Sequence, residues 1–180
     1  MDMSNISVKP SGAALGAEIH GLDLAQPLGD SEIAALRQAL HEHLVIAIPG
    51  QKLTPAQTAA FCRRFGPITR HILDQFYHPE EPDLCIISNV VESGKGRTTA
   101  RMAGSYWHSD LSYIAEPVDA SMLYAIEVPE AGGDTLFANL YDAFNTLPAD
   151  MQTRLRGLNA VHNLMSGSGA DSKVALSDAQ

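Results

Sequence analysis

His108 and Asp110 stand two residues apart in an aromatic stretch, "SYWHSDLSY", residues 105–113. On a β-strand, residues i and i+2 point to the same face, so the pair could aim an imidazole and a carboxylate at one point. Those donors suit a mid-row divalent metal such as Fe(II), Mn(II) or Zn(II). Non-haem Fe(II) is held by two histidines and one carboxylate on one face of an octahedron, which leaves three positions open for reactants. The pair supplies one histidine and the carboxylate of such a set. Spacing alone also fits a plainer arrangement, a hydrogen-bonded His and Asp at the protein surface.

The elements that would carry this pair follow from the hydrophobic pattern. "ISVKP" and "ALGAEIHGLDL" alternate like short strands, the second closed by Gly21. Ser31 opens a helix, "SEIAALRQALHEH", with Ile33, Leu36 and Leu40 on one face. "LVIAIPG" is an apolar run stopped by Pro49-Gly50 and reads as a buried strand. In "TPAQTAAFCRRFG", Thr54 caps a helix, Pro55 takes its first position, Gln57 completes a capping box and Gly66 suits the stop. "LCIISNVV" (84–91) reads as another buried strand, and strands are expected at about 106–113, 120–127 and 135–138, with a last short one in "NAVHNL". "LYDAFNTLPADMQTRLRGL" has helical periodicity broken at Pro148. The stretch 92–104, with Lys95, Arg97 and Arg101, reads as a solvated loop of the kind that closes over sites. Strands and helices do not alternate as regular βαβ units. The expectation is a mainly β chain with flanking helices (α+β), arranged as an antiparallel sandwich or jelly roll.

Composition narrows the class. A chain of 180 residues suffices for one domain with its own core. The net charge of −9, from 21 acids against 12 bases, argues against nucleic-acid and anionic-membrane partners. No apolar run approaches the roughly 18 residues that span a bilayer. The N-terminal "MDMSNISVKP" lacks the basic-then-apolar pattern of a secretory signal. Cys62 and Cys85 form no CxxC and no disulfide framework, as expected of thiols in a reducing compartment. A soluble cytoplasmic protein acting on a small molecule is the expectation.

Beyond the pair itself, "WHSDLSY", the later "EVPEAGGDTLFAN", "GAALGAEIHGLDLAQPL" and "HLVIAIPGQKLTPAQTAAFCRRFGPI" occur in an order and spacing that resemble the taurine dioxygenase family. That family also includes 2,4-dichlorophenoxyacetate, phenoxypropionate and alkylsulfate dioxygenases. The resemblance extends over residues 6–165. It implies a double-stranded β-helix (jelly roll) and an Fe(II)-dependent oxygenase with 2-oxoglutarate and O₂ as co-substrates. By position, His108 and Asp110 match the first two iron ligands. Thr135 in "GGDT" matches a threonine that hydrogen-bonds the 2-oxoglutarate carboxylate, and a hydroxyl can donate to an anion. His71 matches a substrate-contacting histidine, suited to a sulfonate, sulfate or carboxylate. Asp74 and Gly104 stand where the taurine enzyme has tyrosine and asparagine, so another anionic substrate is expected.

The same resemblance places a third histidine ligand on a late strand, followed by an arginine that clamps 2-oxoglutarate. After Asp110 the chain has one histidine, His162 in "AVHNL", which matches a non-ligand position, and no arginine after Arg156. Residues 1–180 are therefore expected to be the N-terminal portion of a single dioxygenase domain, its jelly roll incomplete and without turnover on its own. An incomplete sheet also makes homo-oligomer formation plausible. The whole enzyme would decarboxylate 2-oxoglutarate to succinate while hydroxylating its substrate, and hydroxylation beside a heteroatom cleaves that bond. Two other readings remain. One is a degenerate, non-catalytic jelly-roll protein that binds metal weakly or not at all. The other is a Zn-dependent hydrolase of cupin-like shape, which "GGDT" disfavours.

Overall fold

Alternation at the N-terminus builds the sheet. In the computed structural model, which describes residues 6–70, 76–88 and 107–162, β1 (Ser7–Pro10) pairs antiparallel with β2 (Ala17–His20). The register runs Ser7 to His20 and Pro10 to Ala17. On β2 the two-residue period puts Ala17 and Ile19 into the core and Glu18 and His20 outside. Gly21 follows at φ +87°, a left-handed conformation that glycine adopts without a Cβ clash.

From β2 the chain passes through α1 (Asp30–His43) to β3 (Ile46–Ala47), which lies parallel to β2 with Ala17 opposite Ile46. Parallel neighbours need a crossover, and α1 provides it. One βαβ unit is thus present where the sequence pattern pointed to none. The apolar run 44–50 yields only these two strand residues, half-buried and exposed, because β3 has one neighbour among the described residues. Helix α1 starts earlier than Ser31. Gly29, in extended conformation, precedes it, and the Glu32 carboxylate accepts the Gly29 N–H at 2.6 Å. Arg64 holds the same end by donating to Asp30 at 2.6 Å. The helix closes at Leu44, whose left-handed φ of +65° turns the chain straight into β3 while its N–H reaches the Leu40 carbonyl at 2.7 Å.

Helix α2 (Pro55–Arg63) follows the expected capping box: Thr54 Oγ1 accepts the Gln57 N–H, and Gln57 Oε1 accepts the Thr54 N–H. Ile33, Leu36 and Ala39 of α1, Ile19 of β2, Leu24 of the loop after β2, and Phe61 of α2 form the core, with Leu36 fully buried. Full burial of one such side chain is worth about 1.5–3 kcal/mol. Gln51 ties this layer together: its Oε1 accepts the Leu24 N–H at 2.8 Å and its Nε2 donates to the Leu22 carbonyl at 3.0 Å. α3 (Leu140–Asn145) is capped by Asn139, and α4 (Ala149–Arg156) begins after Pro148, as the periodicity predicts. No described helix is long and apolar enough to cross a membrane.

The strands expected at 106–113, 120–127, 135–138 and in "NAVHNL" are not found among the described residues, and 84–88 contributes one isolated antiparallel bridge, Tyr77 to Cys85. A strand exists through its ladder, and an alternating sequence without a paired neighbour gains nothing from extension. The described fold is accordingly a small mixed sheet with helices, and the mainly β jelly-roll arrangement is not visible in these residues. Backbone contacts divide the chain into two units, Met1–Gly66 with Tyr124–Leu158, and Pro67–Leu123 with Asn159–Gln180. The first holds the sheet and the four helices of the described residues.

Candidate functional site

His108 and Asp110 belong to the second unit; His108 lies in an irregular segment and Asp110 opens a turn, neither of them in a strand. Residues 110–113 turn, with Leu111 at a left-handed φ of +49° and the Ile114 N–H on the Leu111 carbonyl. Leucine pays a steric cost of about 1–2 kcal/mol in that conformation. The two side chains nevertheless converge: His108 Nε2 lies 3.2 Å from Asp110 Oδ1. Convergence here comes from the turn, not from the i, i+2 relation on a strand that the sequence suggested.

The second carboxylate oxygen has a different partner. Ser121 Oγ donates to Asp110 Oδ2 at 2.6 Å, in the range of a charge-assisted O–H···O⁻ bond. A further contact pins the turn, Ser112 Oγ to His162 Nδ1 at 2.9 Å. Neither serine was legible as a site residue, because these contacts join positions 11 and 50 residues apart and no motif marks them.

The geometry fits a metal edge. Two donors bound at about 2.1 Å in adjacent octahedral positions stand about 3.0 Å apart. The observed 3.2 Å separation of the imidazole nitrogen and the carboxylate oxygen is compatible with that spacing and is equally the distance of a direct hydrogen bond between the two side chains. Their side chains are 40% and 53% exposed, so both remain reachable by an incoming ion. Among the described residues no group of three His, Cys, Asp or Glu side chains comes together. Within the described residues, His108 and Asp110 therefore stand as a pair with no third such side chain beside them.

Thr135 lies in the other unit, exposed, in an irregular segment. The preceding Gly132 and Gly133 both have φ +76°, and a Cβ on Gly133 would meet Pro129 Cγ at 3.3 Å. The "GG" of "GGDT" is therefore a backbone requirement of the turn leading to Thr135. His71 lies outside the described residues, as do Asp74, Gly104 and the basic residues of 92–104. Near His71, Arg70 makes two contacts with Asp83 Oδ1, at 2.7 and 2.9 Å, and stacks over Tyr77.

The imidazole of His108 and the carboxylate of Asp110 meet at 3.2 Å in a chain that carries "WHSD" and then "GGDT", which makes it a candidate metal-dependent oxygenase. The profile of the taurine catabolism dioxygenase TauD, TfdA family matches residues 7–178, and the chain belongs to that family. It is 33% identical over 167 residues to the alpha-ketoglutarate-dependent 2,4-dichlorophenoxyacetate dioxygenase of Cupriavidus pinatubonensis, covering 88% of this chain and 58% of that protein. It is 33% identical over 171 residues to pentalenolactone F synthase of Streptomyces avermitilis, covering 93% of this chain and 54% of that protein. Among solved structures, a taurine dioxygenase from Burkholderia xenovorans superposes with a TM-score of 0.71 at 33% identity, over 85% of this chain and 51% of that one. The chain spans a little over half the length of the curated relatives it matches. The family is one of 2-oxoglutarate-dependent oxidoreductases.

Proposed function

We propose that the chain is the N-terminal, two-ligand portion of an Fe(II)- and 2-oxoglutarate-dependent dioxygenase that hydroxylates a small anionic organic molecule. The candidate substrate classes are sulfonates, sulfate esters and aryloxyalkanoates. The observation that carries this reading is the 3.2 Å approach of His108 Nε2 to Asp110 Oδ1 in a chain of this family. The third histidine, the arginine for 2-oxoglutarate and the strands that complete a jelly roll are assigned to polypeptide beyond the matched residues. Support for that assignment is the relatives' greater length.

Each residue of the chain has a definite task in this reading. His108 and Asp110 would hold the iron, with the Asp110 carboxylate offsetting one of its two positive charges. Thr135 donates its hydroxyl proton to a carboxylate oxygen of 2-oxoglutarate and fixes its orientation. His71, assigned by family position, would bind the anionic group of the substrate as a hydrogen-bond donor or an imidazolium. Bound Fe(II) supplies activation of O₂ coupled to oxidation of 2-oxoglutarate to succinate and CO₂.

The decisive experiment measures succinate released from 2-oxoglutarate by the full-length protein with Fe(II) and ascorbate, across the three substrate classes. Substrate-stimulated succinate from at least one class is expected. The 180-residue chain alone is expected to release none. A full-length protein that binds no Fe(II) and turns over nothing would establish the non-catalytic alternative instead.

A further inference from the structure

The two oxygens of the Asp110 carboxylate are not equivalent. Oδ1 faces His108 Nε2 at 3.2 Å, and Oδ2 receives the Ser121 hydroxyl at 2.6 Å. We infer that Ser121 is a positioning residue that locks the Asp110 carboxylate in a one-oxygen presentation, with Oδ1 turned toward the metal edge. The inference rests on the reading of His108 and Asp110 as ligands and goes beyond it, because it assigns a residue to setting their geometry.

The chemistry fixes the direction of the bond. An ionised carboxylate only accepts, so the Ser121 hydroxyl donates. A free aspartate rotates about its terminal torsion, which is broad and roughly two-fold, and exchanges its oxygens. A short hydrogen bond on Oδ2 removes that exchange. It also occupies the oxygen that a two-oxygen grip on a metal would need. The backbone of the same turn is constrained beside it: Leu111, the next residue, has φ +49°, and the Ser112 hydroxyl contacts His162 at 2.9 Å. Ser121 reaches Asp110 across 11 residues, so its contact reports the folded loop and not local sequence.

Hydrogen bonds to ligating carboxylates commonly carry 10–100-fold in metal affinity. Mn(II) serves as the probe, with its binding to the full-length protein measured by titration calorimetry and its environment by electron paramagnetic resonance, both without turnover. Ser121→Ala is expected to weaken Mn(II) binding about 10–100-fold and to change the zero-field splitting of the bound ion. Ser121→Thr, which keeps the hydroxyl, is expected to retain most of the affinity. Ser121→Val, nearly isosteric with threonine, is expected to lose it, so the pair isolates the hydroxyl even where the alanine variant folds poorly. Equal affinities for the Thr and Val variants would overturn the inference. His108→Ala and Asp110→Ala run alongside. If both bind Mn(II) as the parent does, the ligand reading itself fails. If both lose it while Ser121→Val does not, only the role of Ser121 fails.

Discussion

Leu36 is wholly withdrawn from water, whereas the His108 and Asp110 side chains keep 40% and 53% of their exposure. The two regions are held in different ways. Around Leu36, two facing helices and a strand exclude solvent, and each helix end is satisfied by a local partner such as Thr54–Gln57 or Gly29–Glu32. Around Asp110, among the described residues, no ladder and no buried side chain fixes the backbone; a left-handed leucine and two serine hydroxyls are found there instead. Apolar burial is tolerant of small shifts in position, while a donor pair needs atoms within a few tenths of an ångström, which directional hydrogen bonds supply. The packed unit provides stability and the turn provides geometry, so substitutions in the two regions should fail in different measurements.

Substituting the donors is the largest test. His108→Ala or Asp110→Ala in the full-length protein is expected to abolish Fe(II)-dependent succinate release. The unfolding free energy is expected to move by no more than about 0.5 kcal/mol, as for exposed positions generally. A variant that instead unfolds would break the division between the two regions. Leu36→Ala should do the reverse. It leaves a cavity in the core and is expected to cost about 2–5 kcal/mol in urea denaturation, and the Mn(II) affinity of the folded fraction is expected to be unchanged. Thr54→Ala removes the α2 cap and is expected to cost about 1 kcal/mol in the same assay.

The smallest effect concerns Cys62, whose thiol is pushed above its ordinary value mainly by burial. Protonated thiol is then favoured in the native state. Its contribution to stability is complete below the unfolded-state value and fades as pH rises through the higher native value. Alkylation of Cys62 by iodoacetamide near pH 8, followed by mass spectrometry, is expected to be slower in the native protein than in urea. Equal rates would show that burial does not protect this thiol.

Individual residues show how far the sequence could be read. Thr54, Pro55 and Gln57 announced α2 because a capping box is satisfied within four residues. Pro148 divided α3 from α4 for an equally local reason. Helix α1 begins at Asp30, one residue before Ser31, with Gly29 as its cap and Glu32 accepting the Gly29 N–H; Arg64, on a separate segment, also contacts Asp30. Alternation at 106–113 and 120–127 suggested strands, but alternation records which side chains could be buried and not whether a neighbouring strand is present. In the site, His108 and Asp110 were legible from type, spacing and family resemblance, whereas Ser121 was not.

The amino-acid order by itself determined the donor types, the capped helices, the glycine turn before Thr135 and membership of the dioxygenase family. Those features depend on residues close together in the chain or on motifs matched in order. Tertiary structure alone decided that α1 crosses between parallel strands. It also decided that His108 and Asp110 meet through a turn, and that Ser121 and His162 hold that turn from 11 and 50 residues away. Hydrogen bonds of that separation form only once the intervening chain has been folded back, and nothing in a local pattern specifies the path it takes.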